Sequence, residues 1–64
     1  MNRKIARTKL QQVIDHVDLA GRGLELLQQE ARSQQHGDLV TGIEACQHTL
    51  AMIHTVLSDM ISVW

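Results

Sequence analysis

The chain has no proline, no phenylalanine and no tyrosine among its 64 residues, and one tryptophan, Trp64. β-Sandwiches and barrels draw on aromatic and β-branched alternation and on turn prolines, so these gaps argue against them. The lone cysteine, Cys46, cannot close an intrachain disulfide, which excludes a stapled secreted mini-protein. No apolar stretch approaches the roughly 20 residues that cross a bilayer. The first residues also lack the basic, apolar and small-residue succession of a signal peptide. A reducing, cytoplasmic setting is the expectation. Acids are missing from the first nine residues, where Arg3, Lys4, Arg7 and Lys9 fall; the remainder sets all seven acids against Arg22 and Arg32. With 44% hydrophobic residues and a net charge of −1, the composition is that of a folded chain. Helix formers fill it: Ala, Leu, Gln, Glu, Lys, Arg and Met. The expected fold class is all-α.

One punctuation mark divides the sequence, His36-Gly37-Asp38. Gly37 can take the left-handed conformation that closes a helix, and Asp38 can cap the free N–H groups of the next. Upstream, Ala6, Leu10, Val13, Val17, Ala20, Leu24, Leu27 and Ala31 alternate at spacings of four and three. Downstream, Leu39, Ile43, Cys46, Leu50, Ile53, Leu57, Met60 and Trp64 do the same. Such alternation lays an apolar seam along one helix face. Opposite each seam runs a polar column: Thr8, Asp15, Arg22 and Gln29, then Thr41, His48, Thr55 and Ser62. The expectation is a single domain over residues 1–64, with a helix over about 3–35, a turn at 36–38 and a helix over about 39–63. So short a link forces a reversal, giving an antiparallel two-helix hairpin of coiled-coil character. Gly21-Arg22-Gly23 interrupts the first helix. It reads either as a tolerated kink or close approach of a neighbouring helix, or as a bare surface where a partner sits.

More apolar side chains exist than one seam needs. Ile5, Leu19 and Leu26 form a second column on the first helix. On the second helix, Val40 and Ile61 lie on one flank, Val56 and Val63 on the other, and Met52 further out. Burying each is worth roughly 1.5–3 kcal/mol, while ordering each residue costs about 1.5 kcal/mol, so so small a domain gains little by folding alone. Association is the physical expectation, as a homodimeric bundle or against a larger helical protein. Leu19, Leu26, Met52, Val56, Ile61 and Val63 are the expected partner contacts, with the stretch from Leu50 to Trp64 foremost.

Chemistry is harder to find. His48 and His54 are six apart and Cys46 and His48 two apart, so neither pair converges on one helix face as metal ligands must. Glu44 and His48 form an ordinary surface pair one turn apart. No phosphate-cradling loop occurs, and a two-helix hairpin lacks a concave pocket to exclude water. No enzyme activity, metal or cofactor is expected. Arg3, Lys4, Arg7 and Lys9 could bind phosphates, but no aromatic side chains accompany them to stack on bases. Cations also sit unfavourably at a helix N-terminus, so this end is expected to fray.

Residues 13–60 resemble the small E-type co-chaperones of the type III secretion needle protein. The resemblance rests on a glycine-containing turn at His36-Gly37-Asp38 and on an apolar run ending in an Ile-His step and an acid. Here that run is Leu50-Ala51-Met52-Ile53-His54-Thr55-Val56-Leu57-Ser58-Asp59. Gly21, Gly23 and the terminal Val63-Trp64 depart from the family's pattern. The resemblance implies a cytoplasmic protein that pairs with a larger repeat-type helical chaperone and helps to keep a needle subunit monomeric. The alternative is a small homodimeric regulator, or a phage- or plasmid-encoded inhibitor, that binds one bacterial protein or RNA.

Overall fold

Thirty-one consecutive residues free of proline, rich in strong helix formers, make the first element, α1, Arg3–Ser33. The second, α2, runs Gly37–Val63 and packs antiparallel against it. The computed structural model describes residues 2–64, and among them there is no strand. α1 passes unbroken through Gly21-Arg22-Gly23. A Cβ at Gly21 would lie 3.8 Å from Leu50 Cδ2, so α2 comes close there. At Gly23 a Cβ would meet nothing within 4 Å. Asn2 caps α1: it is extended, and its side-chain oxygen accepts from the Lys4 backbone N–H at 2.8 Å.

The turn differs from the expectation. Gly37 is the first residue of α2 rather than the left-handed terminator, and the positive φ falls on Gln35, at 60°. Two bonds close α1 around it. The His36 N–H donates to Ala31 O at 2.9 Å, and the Gln35 N–H donates to Arg32 O at 3.1 Å. This double closure needs its left-handed residue two positions after the last helical one, which places it before the glycine. His36, not Asp38, occupies the cap position of α2, without a side-chain bond. Asp38 instead lies in the first turn, where its charge faces the positive helix end. Replacing Gln35→Gly should stabilise the chain by about 0.5–1 kcal/mol by removing left-handed strain. Gly37→Ala should stabilise it by a few tenths of a kcal/mol, roughly a helix-propensity gain. Urea denaturation measures both, and a loss on Gly37→Ala would return the strained position to residue 37.

The surface between the helices is not the one the apolar alternation marks. Buried or half-buried on α1 are Ala6, Leu10, Ile14, Val17, Gly21, Leu24, Gln28 and Ala31. On α2 they are Val40, Ile43, Gln47, Leu50, His54, Leu57 and Ile61, with Ser58 beside them. Leu10, Val17, Leu24, Ile43, Leu50 and Leu57 hold their expected seam positions. Val13, Leu27, Ile53 and Met60 do not; all four are exposed. So are Ala20, Leu39, Cys46 and Trp64. Neighbouring columns of a heptad are about 50° apart, so each helix is turned by about that angle from the expected seam. The cause is a stripe three columns wide on a helix that can offer only two to a single neighbour. Small and polar residues at Gly21, Gln28, Gln47 and His54 take the contested places, because they permit close approach or bond across the gap.

The result is a rod. Its extents are 49 × 15 × 14 Å, and its radius of gyration is 14.9 Å. A compact chain of this length would have about 11 Å.

Candidate protein-contact face

The two long sides of the hairpin differ in chemistry. One is laced with polar contacts. Arg32 Nη2 lies 3.3 Å from Glu44 Oε1, and His54 Nε2 lies 3.0 Å from Asp18 Oδ1. Gln47 Nε2 donates to Gln28 Oε1 at 3.4 Å, and Gln28 Nε2 donates onward to Glu44 Oε1 at 3.4 Å. These bonds cross from helix to helix over a shallow groove whose floor includes Gly21 and Leu50.

The opposite side carries what the rotation displaced. In an antiparallel pair, corresponding flanking columns of the two helices lie on the same side. Val13, Ala20 and Leu27 of α1 therefore share a face with Leu39, Cys46, Ile53 and Met60 of α2. No charged residue occurs in either column. Val56 and Val63 extend the face along the outer edge of α2. A shallow apolar depression lies there, lined by Thr49, Met52, Ile53, Val56 and Leu57.

The expected partner contacts distribute unevenly. Val56 and Val63 border the apolar face and are exposed. Met52 lies on the outer side of α2 beside them, also exposed. Leu19 and Leu26 are exposed on the back of α1, at 61% and 68%, one column with Ile5 and remote from α2. Ile61 is a correction: it is half-buried between the helices, because its column faces α1 rather than solvent.

Of the four basic residues near the N-terminus, two are bonded to carbonyls of α2. Arg7 Nη1 donates to Ile61 O at 2.9 Å, and Arg3 Nε donates to Trp64 O at 2.6 Å. The antiparallel arrangement sets the N-terminus of α1 beside the C-terminus of α2, where carbonyls lack helical partners and the dipole is negative. The same cations that are unfavourable on their own helix are favourable on its neighbour. Lys4 and Lys9 make no such contact.

Among the described residues no three His, Cys, Asp or Glu side chains cluster as metal ligands would. No described helix is long and apolar enough to cross a membrane. Cys46 is a free, exposed thiol within the apolar face.

No protein-family model matches the chain, and no curated protein or solved structure matches it. What stands is the class that the fold defines, an all-α helical hairpin. The sequence had assigned Val13, Leu27, Ile53 and Met60 to the core. The signal that places them outside was present beside them: a second column, only partly apolar, containing Gly21, Gln28, Gln47 and His54.

Proposed function

We propose that this protein is a non-enzymatic binding module that acts by covering apolar surface on another helical layer. The carrying observation is the uncharged face formed by both helices, opposite the side that carries the cross-helix polar bonds. Exposed apolar surface that is contiguous and bordered by polar residues is characteristic of interaction sites. A helical partner that meets it lengthwise uses the groove-binding mode of amphipathic helices. The co-chaperone resemblance fits this mode, since it too implies action through helical contacts and not through a reaction. Binding to RNA is the weaker reading, since Arg3 and Arg7 are engaged with α2 carbonyls.

The test is purification of the tagged chain from its native cells, with the mass of the complex read by native mass spectrometry. The wild-type chain is expected in a protein complex that persists from low to high salt. Val56→Asp combined with Met60→Asp should release it, whereas Thr41→Asp with Thr55→Asp, equal in charge but on another side, should not. A complex with RNA that salt strips steeply would overturn the reading. So would a wild-type chain that emerges alone as a monomer.

A further inference from the structure

We infer that the layer covering the apolar face is a second copy of this chain, related by a two-fold axis perpendicular to the helices at the level of Ala20 and Ile53. This rests on the protein-contact reading above and names the partner. Three independent features carry it.

The first is the direction of the apolar stripe. In a lone helical pair, each stripe should point at the other helix. Here the fully apolar columns are centred about 50° away from the line joining the helices, toward the same side on both. In a square four-helix bundle each helix has two neighbours at right angles, and its stripe must point between them, at about 45°. The offset, shared by both helices toward one side, is the one a bundle of two hairpins requires.

The second is area. The chain exposes 4929 Å². A compact protein of this mass exposes about 4,100 Å². The excess, about 800 Å², is close to what one partner contributes to a stable interface of ordinary size.

The third is self-complementarity. Asp18 meets His54, and Gly21 approaches Leu50, so Ala20 and Ile53 lie at nearly the same height along the rod. A perpendicular two-fold axis there sets α1 against α1 of the other copy and α2 against α2, both antiparallel. Ala20 then meets its own equivalent, a small side chain that permits close approach, and Ile53 meets its own. Large meets small along α2, where Met60 comes opposite Cys46. On the outer edge of α1, Lys9 comes opposite Glu30, twice per dimer. A two-fold axis along the rod would instead set this charged edge against Val56 and Val63. The perpendicular axis is therefore the one assigned.

Sedimentation equilibrium over a concentration series, with helicity followed in parallel, tests the assignment. The wild-type chain is expected to be a helical dimer, and Ile53→Asp to weaken dimerisation at least about 100-fold, since it affects both sides of the axis. Lys9→Glu should weaken it by about 10-fold at low salt, and adding Glu30→Lys should restore it. In a Cys46→Ser background, Ala20→Cys should form an intermolecular disulfide on oxidation, whereas Leu26→Cys, on the back of α1, should not. These two variants report geometry even where Ile53→Asp unfolds the chain. A wild-type chain that stays monomeric, helical or not, overturns the second-copy assignment while leaving a different protein as the occupant of the face. A dimer lost on Leu26→Asp but indifferent to Ile53→Asp overturns both the assignment and the choice of face.

Discussion

Ile14→Ala is expected to remove most of the helical signal of the chain at every protein concentration, whereas Val13→Ala should act only where the chain associates. The two residues are adjacent and both branched aliphatics, but Ile14 is 7% exposed and Val13 46%. Truncating a buried isoleucine costs about 2–5 kcal/mol through lost burial and the cavity left behind. A domain this small rarely holds more than about 3–5 kcal/mol in its core. The interior of the hairpin is short of large side chains, since Ala6, Leu10, Ile14, Ala31 and Ile43 are its buried residues. One such loss is therefore comparable to the whole stability. Val13 has little to lose within its own chain. Denaturant titrations of both variants at two protein concentrations separate the effects. Equal, concentration-independent losses would mean that the apolar alternation, and not the rotated surface, lies between the helices.

The second large effect has the opposite sign. Gln28→Leu together with Gln47→Leu should stabilise the hairpin by about 2 kcal/mol, as two half-buried amides give way to apolar side chains in the inter-helix layer. Replacing both members avoids an unpaired partner, the usual cost of breaking a buried polar contact. Glu44 keeps Arg32 as its donor. The gain should come with a loss of definition, because a polar pair within an apolar layer fixes how two helices align. A higher denaturation midpoint with multiple amide resonances per residue is the expected outcome. A lower midpoint would show that these glutamines contribute more through bonding than they cost by displacing leucine.

The elements and their antiparallel order were legible because each rests on local chemistry. Spacings of three and four mark a helix whatever it packs against, and a three-residue link leaves no option but reversal. The orientation of each helix about its own axis was not legible. Val13 and Ile14 are equally apolar, and periodicity ranks columns by apolarity alone. What decides between them is pairing across the gap, such as Asp18 with His54 or Gln28 with Gln47, which depends on the level at which two distant segments meet. Gly37 misled for a similar reason. Glycine is the favoured left-handed residue, but the closing bonds to Ala31 and Arg32 are counted from the end of α1, and that count lands on Gln35. For the face, the residues were all visible in the sequence. Their assembly on one side followed only from the rotation.

The single tight reversal also orders the way the hairpin closes. Cross-helix bonds lengthen in sequence separation from the turn outward: 12 residues for Arg32 and Glu44, 19 for Gln28 and Gln47, 54 for Arg7 and Ile61, and 61 for Arg3 and Trp64. Loop-closure entropy rises by about 1.4 kcal/mol between the first and last of these if each must form alone, but by almost nothing if each follows its inner neighbour. Zipping from Gln35 is thus the low-entropy route, and opening runs the other way. The two arginines sit at the last two rungs, so amide exchange should be fastest at their pole and slow progressively toward the turn.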